Sequence, residues 1–431
     1  MPTKSRAQTL ASSVDGIQIL NTIRANASAT YQDRIPEATQ ENIRSIGNAM
    51  LQYNATANEF LSALVNRIAL VLINSKLYEN PLRRFKKGII EVGESVEEVF
   101  VNAAVARQYD PDKSVTDLYK RVIPDVSAVF HKMNYQNYYK VTISNEQLRT
   151  AFLSAQGIED LIARIVDSLY TGANLDEFIL MKQLITDAVN AGQVTPVTVP
   201  AMTADNAKSI ITTIKATSNA MEFMSNKYNA MGVLTYTPKD KQILITDPNF
   251  DAIMDVEVLA AAFNMSKAEF LGQRVMIDEF SNLTGAQAAL VDEDWFMVFD
   301  LYNGFRENYN GEGLYWNYFY HLWKIFSTSP FSNFVLFTTN TSTVTSITIS
   351  PSESVTVAPG GNVQFTATVN GTGYKPAAVT WSVTGKNDTS AVITPNGVLS
   401  VPTTETNTTL TVTATSIFNS SISNSVTVTL S

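Results

Sequence analysis

The segment Phe334-Val-Leu-Phe-Thr-Thr-Asn-Thr-Ser-Thr-Val-Thr-Ser-Ile-Thr-Ile349 holds the most informative seam of the chain. Its first four residues are a dense apolar block, whereas from Val344 apolar and hydroxyl side chains take turns. Between Val344 and Ser431 more than a third of the residues are Ser or Thr. That stretch carries two lysines (Lys375, Lys386), no arginine and three acids (Glu353, Asp388, Glu405). A break of this size predicts a boundary near Thr343, with a body over 1–343 and a compact β module over 344–431. A Ser/Thr-rich β tail is a surface device more often than a catalytic one.

Working forward from the seam, apolar residues recur with a period of two. The series are Ile347, Ile349; Val355, Val357; Val363, Phe365, Ala367, Val369; Val379, Trp381, Val383; Leu410, Val412, Ala414; and Val426, Val428, Leu430. Alternation of this kind puts one face of each strand inward. Pro359-Gly360-Gly361, Asn370-Gly371 and Asn396-Gly397 read as turns between them. Short strands set this closely in under ninety residues predict an all-β sandwich of immunoglobulin type. Its expected core is Phe365, Trp381, Leu399 and Val412, with Trp381 central.

The whole chain, 431 residues with 45% hydrophobic and 16% charged, is long enough for two or three cores and is not a disordered composition. Of the net charge of −9, the tail supplies +2 −3 = −1, so the acidity lies in the body. A nucleic-acid binder working through phosphate contacts needs a basic excess, which disfavours that class. The absence of cysteine excludes disulfide frameworks, thiolate zinc sites and cysteine nucleophiles. Met1–Leu20 has no apolar centre, so no secretory signal is expected. The apolar runs Ile68–Ile73 and Val258–Phe263 fall short of the ~20 residues of a membrane span.

Working back from the seam, the body mixes helix and strand patterns. Ile43, Ile46, Met50 and Leu51 form one helical face, Phe60, Leu61, Leu64, Val65 and Ile68 a better one, and Ile68–Ile73 reads as a buried strand. Leu77 to about Val141 passes from a basic run around Phe85 to the acids Glu91, Glu94, Glu97 and Glu98. Polar sequence of mixed sign is hard to bury, so a projecting arm or hairpin is expected. Ser144 and Gln147 then have capping-box spacing. A stripe from Leu148 to Leu169, broken at Gly157, and a second through Phe178, Met181, Leu184, Ile185 and Ala188 to Gly192 predict one long broken helix or two stacked ones. A third helix is expected through Ile210, Ile214, Met221 and Met224, with strands at Leu234–Thr237, Gln242–Thr246, Arg274–Ile277, Trp295–Phe299 and Phe334–Phe337 and a helix at Val256–Phe263. Without a regular βαβ repeat, the body is α+β.

No P-loop, dinucleotide fingerprint, nucleophile elbow or HExxH motif occurs. Asp292-Glu293-Asp294 is the most catalytic-looking group, but neighbouring carboxylates point in different directions and a turn before a strand explains them better. His131 and His321 have no third ligand in a metal-binding spacing and read as structural. The aromatic block Tyr315–Trp323 reads as core or subunit packing rather than a carbohydrate platform. The cluster Arg83, Arg84, Phe85, Lys86 and Lys87 reads as a solvated face or a subunit contact to an acidic neighbour, ahead of direct DNA or RNA binding; Phe85 favours the contact, because an aromatic exposed among cations usually has something to cover it.

Three segments of the body resemble the major capsid protein of small phages of the phi29 kind. They are Asn80-Pro-Leu-Arg-Arg-Phe-Lys-Lys-Gly88, Asp255-Val-Glu-Val-Leu-Ala-Ala-Ala-Phe-Asn-Met265 with Phe270-Leu-Gly272, and Val291-Asp-Glu-Asp-Trp-Phe-Met-Val298 with Gly313-Leu-Tyr-Trp-Asn-Tyr318. The tail resembles a group-2 bacterial immunoglobulin-like domain through Ile347-Thr-Ile-Ser-Pro351, Gly361-Asn-Val-Gln-Phe365-Thr-Ala367, Val379-Thr-Trp-Ser-Val383, Gly397-Val-Leu-Ser-Val401 and Leu410-Thr-Val-Thr-Ala414. The two together, in this order, are what makes the resemblance specific.

The resemblance implies an α+β body of the Hong Kong 97-type capsid fold, with N-arm, extended loop, spine helix, peripheral and apical domains. It would divide as extended loop about 75–143, spine helix region 144–192, mainly apical domain 203–310, closing strands 311–343 and immunoglobulin-like domain 344–431. It further implies an icosahedral shell of pentamers and hexamers around double-stranded DNA, without sequence-specific binding. A separate scaffolding protein, a portal and head fibres are the implied partners; no cofactor, metal, catalytic residue or membrane is. The basic cluster, with Phe85, would then face carboxylates of an adjacent subunit. A secreted adhesin or surface-layer protein is the competing reading and an enzyme with an accessory module the third.

Overall fold

A computed structural model describes residues 16–431 apart from 53–54, 58, 61–62, 64–77, 92, 94, 104–125, 154–164, 166, 262–272, 353–354 and 389. The strand expected at Ile68–Ile73, the break at Gly157 and the end of the helix expected to reach Phe263 lie outside the described residues. Three N-terminal helices, α1 (Gly16–Ala25), α2 (Ala29–Arg34) and α3 (Ile43–Gln52), bury Ile23, Tyr31, Ile46 and Met50. They pack with Leu148 and Phe152 against a four-stranded sheet. This sheet contains β1 (Lys86–Ile89), β4 (Tyr135–Ser144), β9 (Phe296–Asn310) and β10 (Tyr315–Thr328) in the order β1-β9-β10-β4. Its aromatic strand β10 sends Trp316, Tyr318, Tyr320 and Leu322 into this first core, as a period of two requires.

The second sheet is the centre of the body. It orders β5 (Thr195–Thr198), β11 (Phe334–Thr338), β8 (Ala286–Asp292), β6 (Gln242–Thr246) and β7 (Arg274–Met276) as β5-β11-β8-β6-β7, mixing parallel and antiparallel pairs. Both faces are covered, which explains why β6 and β11 are buried at every residue and show continuous apolar runs instead of alternation. Ile243, Ile245, Phe334 and Leu336 share a core with Phe178, Met181 and Ile185 of the long helix Gly172–Asn190. Leu244, Val335 and Phe337 face the other way, onto helices Ala204–Ala220 and Pro248–Ala261. In chain order the short helix Asn145–Ala151 is α4, the long helix α5, and the last two α6 and α7.

The Ser144 capping box forms as expected. Its hydroxyl accepts the Gln147 N–H at 3.2 Å, and Gln147 Oε1 accepts the Ser144 N–H at 3.1 Å. After α4 the described chain resumes in a π turn at Asp167–Thr171 that runs into α5. Two local expectations fail. Leu234–Thr237 forms no strand, only an isolated bridge of Thr235 to Ser225, because the Thr237 N–H is taken by Met221 O and Leu234 and Tyr236 face solvent. Helix α6 stops at Ala220, capped by Met221, so Met224 lies beyond it and is exposed.

From β12 (Thr343–Ser350) to β20 (Ser423–Leu430) the chain is all β around a fourth core. One sheet pairs β13 (Val355–Val357), β20, β19 (Thr409–Ser416) and β16 (Val379–Thr384). Opposite it, β12 pairs with β15 (Thr366–Thr372), while β14 (Asn362–Gln364) pairs with β18 (Val398–Ser400) and β18 with β17 (Val392–Ile393). Asn370-Gly371 is no turn: β15 runs straight through it. The β12 backbone at Thr343 lies so close to Gly371 that a Cβ there would collide with it. Phe365, Leu399 and Val412 are fully buried. Trp381 is half-buried, its ring 6.2 Å from that of Phe365, so it closes the margin of the core rather than filling its centre.

Candidate functional site

Residues 80–144 carry the surface features that the sequence singles out. Asn80 opens a 3₁₀ turn, Pro81–Phe85, with Oδ1 accepting the Leu82 N–H at 2.9 Å. Side chains three apart eclipse in such a turn. Leu82 and Phe85 therefore share one side, facing inward, and Arg83 and Arg84 the other. Phe85 is 1% exposed and packs 4.6 Å from the Phe296 ring. The expectation of an exposed aromatic is thus corrected: this chain's own core covers it.

The cations of the run also find partners at home. Lys86 Nζ lies 3.0 Å from Glu177 and 2.8 Å from Asp300. Lys324 joins the same two carboxylates, bonding Glu177 and standing 3.2 Å from Asp300. Asn80 Nδ2 donates a further bond to Glu177 at 2.9 Å. Burial alone would raise the Glu177 pKa, but Lys324, Lys86 and Asn80 together hold it below the usual carboxylate range. Burial likewise opposes the charge on Lys86, and Glu177 and Asp300 more than restore it, leaving its pKa raised. Lys87 bonds Asp294, which Lys241 also reaches at 2.8 Å, and Arg84 lies 3.7 Å from Glu293. Arg83 is exposed and forms no ion pair among the described residues.

Asp292-Glu293-Asp294 is the turn into β9, and its three carboxylates do separate work. Asp292 is buried, which raises its pKa, and it accepts bonds from Thr237 Oγ1 at 2.6 Å and the Asp294 N–H at 2.9 Å. Burial also opposes ionisation of Asp294, but Lys241 and Lys87 outweigh it and lower that pKa.

Beyond β1 stands a two-stranded sheet of β2 (Val96–Val101) and β3 (Val126–His131) in antiparallel register. Its inner face is docked. His131, 2% exposed, has Nδ1 2.7 Å from Ser327 Oγ and Nε2 3.2 Å from Glu98. Ser329 donates to Glu98 at 2.6 Å, and Phe100 stacks on Phe331 at 5.4 Å. Under this docked face an open cleft of about 650 Å³ runs between Phe100, Tyr236, Met297, Phe299 and Phe331. The outer face is the reverse. Val99, Val101, Val126 and Phe130 are each more than half exposed, with Glu97 and Ala128 completing the surface. His321 stands on β10 beside Tyr138 and Phe319. Among the described residues no group of three His, Cys, Asp or Glu could hold a metal ion, and no helix is long and apolar enough to cross a membrane.

The charge network at Glu177 escaped the sequence reading, although a signal existed. Glu177 recurs four residues before Met181 and eight before Ile185, on the apolar stripe itself. A charged residue on a buried stripe needs a partner.

The chain is similar to known proteins in sequence and in fold. The profile of the phi29-like phage major capsid proteins matches residues 20–338, ending at the last residue of β11. The major capsid protein of Bacillus phage B103 is 37% identical over 399 residues, covering 91% of this chain and 88% of that protein. That of Bacillus phage GA-1 is 38% identical over 328 residues, 75% of this chain and 69% of the other. A span of 91% cannot fit within the first 343 residues, so the similarity to B103 continues into the tail. In three dimensions a chain from the capsid of Staphylococcus phage Andhra superposes with a TM-score of 0.52 at 15% identity, covering 63% of this chain and 87% of that one. A chain from a structure of the head fibre and inner core protein of bacteriophage P68 gives 0.52 at 13%, with the same coverage. The fold is therefore one found in phage capsids, and the chain belongs to the phi29-like phage major capsid proteins, the structural proteins that assemble the shell of the virion head.

Proposed function

We propose that the body, 1–343, is a Hong Kong 97-type wall unit. In this reading 75–143 is the extended loop, 144–192 the spine region, 203–310 mainly the apical domain and 311–343 the closing strands. The module 344–431 is an immunoglobulin-like domain carried on the outside of an icosahedral shell of pentamers and hexamers around double-stranded DNA. The observation that carries the reading is the two-faced β2–β3 sheet. Its inner face is held by His131, Glu98 and Phe100, while Val99, Val101, Val126 and Phe130 stay bare. An apolar face of this kind on a shell protein suits the flank of a neighbouring subunit. The basic run keeps a part in that contact only through outward-facing Arg83, since Arg84, Lys86 and Lys87 have partners in their own chain. A separate scaffolding protein, a portal and head fibres complete the proposed set of partners. No catalytic role is assigned.

The test is electron microscopy of the chain co-expressed with its scaffolding protein. Regular closed shells are expected from the unmodified chain. Val101→Asp/Phe130→Asp should give soluble, folded subunits and no closed shells. Normal shells from that variant would overturn the proposed contact.

A further inference from the structure

We infer that the C-terminal module is not a pendant on a linker but is seated on the body in one orientation, bracing the end of α5 against the turn before β8. This goes beyond an outer decoration and holds whichever side of the shell the module occupies.

The connection leaves no slack. Only residues 339–342 separate β11 from β12, and the first two are tied down. The Thr339 N–H donates to Gly285 O at 2.8 Å, Asn340 Nδ2 to Thr284 O at 2.6 Å, and Thr198 Oγ1 to Asn340 O at 3.3 Å. Beyond the linker, two connections of the module rest on the body. In the β15–β16 connection the Ala377 N–H donates to Gly192 O at 2.7 Å, just past the end of α5. In the same connection Tyr374 donates its hydroxyl to Thr284 O at 2.9 Å and packs its ring on the core between α5 and the central sheet. In the β19–β20 connection Ile417 lies directly on Gly232.

Glycine makes the seat possible at both ends. Gly192 (φ +70) and Gly232 (φ +64) occupy the left-handed region, which other residues adopt at a cost. A Cβ on Gly192 would stand 2.7 Å from Lys375 O and 2.9 Å from Ala377 N, both backbone atoms that cannot rotate aside. At Gly232 it would meet the tip of Ile417. Contacts at Gly192, Thr284 and Gly232, contributed by three separate body segments, fix a rigid object, whereas one contact would leave a hinge. Any movement of α5 against the sheet must carry the module along or shed it. Removing the module would also strip Tyr374 from the body's core, contrary to the independence that the composition break alone suggests.

The cysteine-free chain allows a direct test. Lys215→Cys on α6 and Thr429→Cys on β20, both exposed, take nitroxide labels in the full-length protein. Pulsed electron resonance should return one narrow distance distribution. Tyr374→Ala/Ile417→Ala should broaden it, and hydrogen exchange of the Ala191–Gln193 amides at the end of α5 should rise tenfold or more. Gly192→Ala should broaden it too, and the double variant keeps the test sound if that substitution disturbs folding. A broad distribution in the labelled chain without these substitutions overturns the seat. Unchanged exchange at Ala191–Gln193 in the double variant overturns the brace.

Discussion

Replacing Glu177 with Gln removes the negative centre that Lys86 and Lys324 share. Glu177 is 4% exposed, and the lysine side chains 20% and 7%. At 3.0 Å and an effective dielectric near 20, the gross attraction of one such pair is about 5–6 kcal/mol. Desolvation consumes much of that in the intact network. Removing one partner leaves the desolvation uncompensated, because Asp300 alone must then answer two lysines. The expected loss of stability for Glu177→Gln is about 3–5 kcal/mol. Glu177→Gln/Lys324→Met deletes one charge of each sign and should recover most of it. Guanidinium unfolding of the purified subunit measures both variants, with m-values checked for constancy. A single-variant loss under about 1 kcal/mol, or a double variant no better than the single, would refute the reasoning. The pH dependence has a definite sign. The lowered Glu177 pKa contributes stability that is complete above the unfolded value near ~4.3 and is lost as pH falls through the folded one. The raised Lys86 pKa contributes stability complete below ~10.4 and lost as pH rises through its folded value. Glu177→Gln should flatten the acid limb of the stability profile.

Charge reversal should divide the basic run in two: Arg83→Glu leaves subunit stability unchanged, while Lys86→Glu, which sets a third carboxylate beside Glu177 and Asp300, lowers the unfolding midpoint sharply. Ser144→Ala should cost about 1 kcal/mol through the lost cap of α4, seen in denaturant titration. In the tail, Phe365→Ala should cost about 3–5 kcal/mol. Trp381→Ala should cost less, because its ring is already partly in water; calorimetry of the two variants gives the order, and a reversed order would contradict the burial described above.

Much of this architecture is legible in residue order because it rests on local rules. The Ser144–Gln147 spacing places a helix start, and Gly192 marks the end of α5 at a left-handed turn. Alternation from Ile347 to Leu430 yields strands, and the change of composition coincides with the start of β12 at Thr343. What stays hidden depends on partners distant in sequence. Phe85 reads as exposed because four cations surround it; only the 3₁₀ turn and the β9 ring of Phe296 reveal that it points inward. Asn370-Gly371 has the residues of a hairpin turn, yet the backbone near Thr343 makes it a point of close approach within β15. The bare face of β2–β3 reads in the sequence only as part of a polar arm. Its apolar residues alternate with docked ones, so a mean over the segment conceals them.

The long pair β9–β10 has a mechanical consequence. Its lower rungs, Phe296, Val298 and Phe326, sit in the core beneath the central sheet, while its upper rungs, Trp316 to Leu322, sit among the N-terminal helices. The two cores are thus strung on one strand pair, whose register shifts at a bulge between Trp323 and Lys324, and β4 adds a second ladder along β10. A load that enters one strand and leaves by the opposite end of its neighbour puts many of these hydrogen bonds in shear at once. Pulling the two cores of one subunit apart along the strands therefore works against this shared ladder and not against a flexible link.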